Sequence, residues 1–284
     1  MSVPSSLKVG PHSTLVLVKK RYLIFYIFLI WITLFTIQFE FWAFWIVYEL
    51  EKYVYFCLFL PFIIFGMYLS AILVSLIFAK LFLVILNLIH KPHEGVFLRH
   101  ESDTDYRYWS LRSVIKKWPI WISHKFPFPF MDNICLKIFG VKTKFSNSLF
   151  EGFIDTEFLE FGKGVVIGQS AIIQSAVIVG NLFIIRKTIL DENCVVGAHS
   201  IVMPGTHMKK NSILAGSSLT TVGQELEENW VYLGAPAKKY KKNLFTEDGL
   251  EEIIEEQFKK RGLSDMDIEE LYTIRKDTRK QNKS

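Results

Sequence analysis

The residues of this chain best suited to chemistry surround one irregular stretch, IIQSAVIVGNLFIIRK, at positions 172–187. Gln174 and Ser175 place an amide and a hydroxyl just before Ala176, which has no titratable atom. The second half of the stretch holds a further amide and two cations, at Asn181, Arg186 and Lys187. Such groups suit an anionic donor or acceptor, so this stretch is a candidate substrate-binding and catalytic segment.

A second group of polar residues lies downstream and suits a ligand that carries phosphates. Small hydroxyl side chains, a turn and several lysines allow close backbone approach and supply positive charge. The same lysines could instead form a solvated basic surface that faces anionic lipid headgroups, which the net charge of +5 also favours. The candidate ligand-binding residues are Ser217, Ser218, Gly234, Pro236, Lys238 and Lys239.

Metal sites and disulfides are not expected. The histidines and aspartates near position 100 show no known metal-ligand spacing. The three cysteines lie in apolar or repetitive segments and read as small buried hydrophobes, at Cys57, Cys135 and Cys194. We likewise expect no nucleic-acid partner.

A six-residue repeat frames these candidate residues. Bulky apolar residues recur every six positions within two blocks, small or β-branched residues follow four positions later, and glycine often follows the bulky one. A helix cannot hold a period of six on one face, whereas a three-sided prism of short strands can. The leading residues are Phe161, Ile167, Ile173 and Val179, then Leu190, Val196, Val202, Met208 and Leu214.

The first 90 positions indicate a membrane-embedded segment. Half of the chain is apolar, and long uncharged runs crowd into this part. About 20 apolar residues span a bilayer, so we predict one transmembrane helix from Tyr22 to Val47 and a second from Tyr53, continuing as an interfacial stalk to Ile89. Basic residues flank both outer ends of this hairpin, which places the N- and C-termini in the cytoplasm.

The domain organisation follows from these patterns. We predict a cytoplasmic N-terminal tail at 1–21, a transmembrane α-hairpin and stalk at 22–90, and an aromatic and basic juxtamembrane linker at 91–148. The all-β repeat domain covers 149–242, in about four coils, and two amphipathic α-helices form an extension at 243–284.

The repeats VVGAHSIVMPGTHMKKNSILAGSSLTTVG and the closing VYLGAPAKKYKK resemble those of the hexapeptide-repeat acyltransferases. That resemblance implies a left-handed parallel β-helix, a homotrimer, and acetyl-CoA or another acyl-CoA as donor, held by the residues around 217 and 234–239. A narrower resemblance, from the membrane bundle through LKIFGVK to the prism, is to the C-terminal region of poly-lysine-type nonribosomal peptide synthetases and their stand-alone relatives.

The narrower family has histidine, the catalytic base, where this chain has Ala176. A base must take the proton of the attacking hydroxyl or amine. His199 lies 23 positions later, which is one 18-residue coil plus five, so a five-residue loop would stack His199 above Ala176. His199 is therefore the candidate replacement, and His207 is a weaker one. A zinc-dependent carbonic anhydrase on this prism is not favoured, because the histidine spacing differs.

Three functions follow as hypotheses. The first is a membrane-anchored acyltransferase that acts on a hydroxyl or amine at the cytoplasmic membrane face, with membrane lipids, lipid-linked sugars or amines as acceptors. The second is an amide- or peptide-bond-forming transferase that uses an amino acid activated by a separate carrier. The third is a trimeric membrane scaffold without activity, because Ala176 replaces the expected base.

Overall fold

The computed structural model describes residues 20–47, 53–100, 102–128, 130–149 and 152–243. Most of the predicted N-terminal tail and all but the first residue of the predicted C-terminal helical extension lie outside the described residues. By its internal contacts the chain forms two compact units, Met1–Lys241 and Lys242–Ser284. The architecture below is that of the first unit, with its last strand ending at Lys242.

Two long helices open the described chain. A short 3-10 turn at Lys20–Tyr22 leads into helix α1, Leu23–Val47, and helix α2 covers Tyr53–Ile89. Both helices are long and apolar enough to cross a membrane. Only 11% of the most apolar window of α1 is buried in the structure, and most of its Leu, Ile, Phe and Trp side chains face outward. A water-soluble protein rarely exposes so much contiguous apolar surface.

The linker between the two long apolar helices and the prism is ordered. It contains strand β1, Gly95–Leu98, helix α3, Thr104–His124, and helix α4, Phe130–Phe139. The Asp103 carboxylate caps α3 by accepting a hydrogen bond from the Tyr106 N–H at 3.1 Å. Apolar side chains of α3 and α4 share one buried cluster with α1 and α2, so the linker packs against the two long apolar helices.

The prism consists of three sheets that meet at three corners, and the strands that successive coils contribute to each sheet pair in parallel. Face 1 holds β3 (Leu159–Phe161), β8 (Thr188–Leu190), β11 (His207–Met208) and β13 (Glu225–Leu226). Face 2 holds β4 (Val166–Ile167), β9 (Val195–Val196), β12 (Ile213–Leu214), β14 (Trp230–Leu233) and β15 (Lys238–Lys242). Face 3 holds β2 (Phe153–Ile154), β5 (Ile172–Ile173) and β10 (Ile201–Val202).

Five coils stack in this prism. On face 1, parallel pairing links five outward positions in one column, Lys142, Glu160, Ile189, His207 and Glu225. Parallel pairing therefore begins at Lys142, seven positions before the predicted start at Leu149. The sequence pattern did not indicate this first coil, because its paired residues do not follow the six-residue repeat of bulky side chains.

The predicted six-residue repeat is confirmed for eight of its nine leading residues. All eight point inward, and the most exposed of them, Phe161, is 4% exposed. The small residues four positions later are also buried, and at Gly197 a Cβ atom would lie 2.4 Å from the Gly216 nitrogen of the next coil. Val179 is the exception, since it lies in a hairpin outside the coils.

Candidate active site

The irregular stretch leaves the prism at the corner between faces 3 and 1 and forms a hairpin. Its strands are β6, Ala176–Val179, and β7, Leu182–Ile185, joined at Gly180 (φ 61°) and Asn181. The inward positions Ile173 and Leu190 are 17 residues apart instead of six. The predicted five-residue loop is therefore wrong, because Val177 and Val179 pair in the hairpin instead of filling a coil.

This hairpin is docked within its own chain. Strand β1 of the linker pairs antiparallel with β7, which makes a three-stranded sheet. The Phe183 side chain is fully buried, with its ring centroid 4.5 Å from that of Trp109 and 5.2 Å from that of Tyr106 on α3. The candidate segment is thus held by helix α3.

Asp155 anchors the start of the hairpin. Its Oδ2 accepts hydrogen bonds from the Ser175 N–H at 2.8 Å, the Ser175 hydroxyl at 3.3 Å and the Ala176 N–H at 3.3 Å. Burial raises the pKa of Asp155, and these hydrogen bonds only partly oppose the rise. The Gln174 carbonyl accepts from the Thr188 hydroxyl at 2.8 Å, while its side-chain Oε1 is buried without a partner among the described residues.

The two cations of the stretch point to different places. The Arg186 side chain lies along the prism corner, where a Cβ at Gly205 would be 3.0 Å from its Cδ. Lys187 turns the other way, with its Nζ 2.9 Å from the Glu160 carboxylate. The Asn181 side chain is exposed, and its carbonyl accepts from the Arg99 N–H at 2.8 Å. The three predicted substrate-binding residues therefore do not converge on one ligand within a single chain.

His199 lies at the corner between faces 2 and 3, and the prediction that it stacks above Ala176 is wrong. Its backbone N–H bonds to the Gln169 carbonyl, and Ser170, His199 and Ser217 share a φ near 55° at equivalent corner positions of successive coils. His199 thus stacks above Ser170, since the 11 extra residues of the hairpin shift the coil register. Its imidazole is exposed.

Three of the predicted donor-binding residues, Ser217, Ser218 and Gly234, lie at this same corner, whereas Lys239 contacts residues at the opposite end of β14. The Ser217 N–H bonds to the Ala198 carbonyl, and the buried Ser218 hydroxyl accepts from the Gly234 N–H at 3.1 Å. The exposed Pro236 follows a cis peptide bond. Lys238 is exposed, and the Lys239 Nζ lies 4.9 Å from the Trp230 ring centroid and pairs with Glu227.

A cavity of about 450 Å³ lies between α2, α3 and the first coils, and the sequence analysis did not identify it. Arg112 and Lys116 on α3 are almost fully buried there and share one oxygen of Glu157, with the Arg112 Nε at 2.9 Å. Two cations hold the pKa of Glu157 below its usual value, although burial alone would raise it. The sequence signal that could have indicated this site is a pair of cations four residues apart, which lie on the same face of a helix.

Histidine–carboxylate contacts also occur outside these sites. His90 Nε2 and His93 Nδ1 lie 3.4 and 3.3 Å from the same oxygen of Asp105, a set that could hold a metal ion. Hydrogen bonds to that carboxylate account for this geometry equally well. His207, the weaker base candidate, bonds through Nε2 to Asp191 at 3.0 Å on face 1, away from the corner of His199.

No protein-family model and no curated protein matches this sequence. Among solved structures, the chain is similar to a galactoside acetyltransferase in complex with coenzyme A, at 13% identity and a TM-score of 0.36, over 49% of this chain and 85% of that one. It is similar to a hexapeptide-repeat acetyltransferase from Vibrio cholerae (10% identity, TM-score 0.32, 45% and 89% coverage). It is also similar to a maltose O-acetyltransferase from Clostridium difficile, at 14% identity and a TM-score of 0.32, over 45% of this chain and 83% of that one.

Proposed function

We propose that this chain is a membrane-anchored acyltransferase that moves an acyl group, such as acetyl, from a CoA thioester to a hydroxyl or amine at the cytoplasmic membrane face. One observation carries the proposal. The exposed imidazole of His199 lies in one column with Ser217 and next to the contact between Ser218 and Gly234. A base beside small hydroxyls and a backbone turn is the combination that attack on a thioester requires.

In the proposed reaction His199 takes the proton of the acceptor hydroxyl or amine. The acceptor's electron pair forms a bond to the thioester carbonyl carbon, the carbon–sulfur bond breaks, and the thiolate leaves and takes up the proton. The donor lies along the corner, with the exposed Lys238 placed for its phosphates and Lys239 next to it. His199 therefore does the work for which Ala176 has no group.

The proposed assembly is a homotrimer of left-handed prisms. Two faces carry outward apolar side chains, which packing against another copy would bury. The corner of His199 lies between these two faces, so their packing would place it at a subunit junction. Face 1, in contrast, is largely charged. The outward columns are Val166, Val195, Ile213 and Val231 on face 2, and Phe153, Ile172, Ile201 and Leu219 on face 3.

Thiol release tests the role of His199. Purified full-length protein with acetyl-CoA and membrane lipid extract should release CoA, and His199→Ala should lower the rate by about 100-fold or more, the usual effect of losing a general base. His207→Ala is the matched control, because it removes an imidazole from face 1. Equal rates for His199→Ala and the unchanged protein would contradict this assignment.

The Ala176→His variant separates the remaining hypotheses. It restores the residue that the narrower family has at this position. Release by both the unchanged protein and the variant agrees with the proposal. Release by the variant alone would identify a disabled enzyme, and release by neither would favour the trimeric scaffold, so both outcomes would overturn it.

A further inference from the structure

The cavity between α2, α3 and the first coils has an excess of positive charge. Two of its carboxylates are each shared by two cations, since Glu157 binds Arg112 and Lys116, and Glu160 binds Lys142 and Lys187. Lys80 adds another positive charge and donates to the Ile138 carbonyl at 2.7 Å, while Glu94 adds a negative one. Five cations and three carboxylates leave a net charge of +2 on the cavity wall.

The most buried part of the cavity holds two unpartnered polar atoms among the described residues, the Arg112 Nη1 and the Glu157 Oε2. A protonated phosphate oxygen could donate to the second while the others accept from the first. Arg112 is 2% exposed, and its Nη1 is buried without a hydrogen-bond partner among the described residues. Burial lowers the pKa of Lys116 even though Glu157 opposes this. A buried guanidinium nitrogen without an acceptor is costly, so a further anion beside Arg112 and Lys116 would be stabilised. Guanidinium groups match the geometry of phosphate oxygens well.

The position of the cavity links it to the membrane surface. Its α2 wall is formed by Lys80, Leu83 and Asn87. Phe82 of the same turn packs on Phe25 of α1, with ring centroids 5.5 Å apart, near the residue where α1 begins. In the proposed topology this is the level of the cytoplasmic headgroups. A lipid phosphate at this depth would meet the cations while its apolar part passed Leu83.

We propose that this cavity binds the terminal phosphate of a membrane lipid, a phosphate monoester in preference to a diester. A monoester carries about −1.5 to −2 charges near neutral pH, which matches the wall, whereas a diester carries one. The inference rests on the membrane placement in the proposed function but not on acyl transfer. The headgroup site is formed by α2, the linker and the first coils, and it includes no residue of the hairpin or of the donor corner.

Native mass spectrometry of the full chain in detergent tests the proposal without any acyl donor. Phosphatidic acid should bind at least about tenfold more tightly than phosphatidylglycerol or phosphatidylcholine. Arg112→Gln should weaken phosphatidic acid binding at least about tenfold. Lys142→Gln should also weaken it and is safe for folding, because the Lys142 side chain is 77% exposed.

The control is Lys210→Gln, which removes the same charge from an exposed lysine paired with Glu192 on the prism. It should leave binding unchanged. Equal binding of phosphatidic acid and phosphatidylglycerol, or equal weakening by Lys142→Gln and Lys210→Gln, would overturn the proposal. Displacement of the lipid by an equal concentration of inorganic phosphate would overturn the assignment to a lipid, since the site would then recognise free phosphate.

Discussion

At the scale of single residues, the segment around Ala176 is fixed to the prism by hydrogen bonds. Asp155 ties Ser175 and Ala176 to the prism through three hydrogen bonds, so their backbone is fixed although Ala176 has no functional group. The inward residues of the coils could be predicted, because a bulky side chain every six positions leaves few alternatives. The contact of Arg112 with Glu157 could not, since the two residues are 45 positions apart.

Asp155→Asn should raise the melting temperature near neutral pH. Burial raises the pKa of Asp155, so the folded state binds its proton more tightly than the unfolded state. The stabilisation from this group is therefore fully present below the pKa that Asp155 has in the unfolded chain. It is lost as the pH rises through the higher pKa that Asp155 has in the folded protein. The Asn oxygen still accepts hydrogen bonds but carries no charge. Thermal melts across pH should show the difference shrinking below about pH 4.

The control for this change is Asp191→Asn, whose carboxylate is 41% exposed beside His207. It should alter the melting temperature much less. A lower melting temperature for Asp155→Asn at neutral pH would show instead that the buried charge stabilises the fold.

At the scale of elements, the hairpin and the linker form one unit. The sequence break at 172–187 was evident, but its form depended on a partner strand, Gly95–Leu98, from a different part of the chain. Helix α3 could have been predicted from its Asp103 cap, yet its aromatic and basic composition resembled a surface segment. The hairpin is therefore positioned by strand β1 and helix α3 of its own chain.

Phe183→Ala should detach the hairpin from α3. Truncation of a fully buried phenylalanine typically costs about 3–5 kcal/mol, because contacts are lost and a cavity remains. Hydrogen exchange should become faster at the amides of 176–185, while the coils stay protected. Phe145→Ala is the control, since this side chain is 65% exposed and contacts the Lys137 ammonium. Unchanged protection of the hairpin in Phe183→Ala would contradict its docking on α3.

At the scale of the whole molecule, the proposed function depends on the placement of α1 and α2 in a membrane. The proposed topology places the end of α1 and the start of α2 on the side of the membrane opposite the prism. Cys57 is exposed one turn into α2, whereas Cys135 and Cys194 are buried, with pKa values raised by burial to about 12 and about 11. In the proposed topology Cys57 therefore lies near the side of the membrane opposite the prism, and Cys135 and Cys194 lie on the side of the prism.

A membrane-impermeant maleimide applied to intact cells should label Cys57 only. Thiols react as thiolates, and burial keeps those of Cys135 and Cys194 protonated and inaccessible. Cys57→Ser should abolish the label and serves as the control. Labelling that requires opening the cells would place Cys57 on the cytoplasmic side and contradict the topology.

The sequence by itself determined the two long apolar helices, the six-residue coils and the place where those coils are interrupted. These features are local, since each depends on a period or a run of residues that neighbours in the chain satisfy together. Only the tertiary structure decided that the interruption is a hairpin paired with β1, that His199 stacks above Ser170 and that a cationic cavity lies beside α3. Those features depend on contacts between distant segments, and one miscounted loop shifts every later residue around the prism.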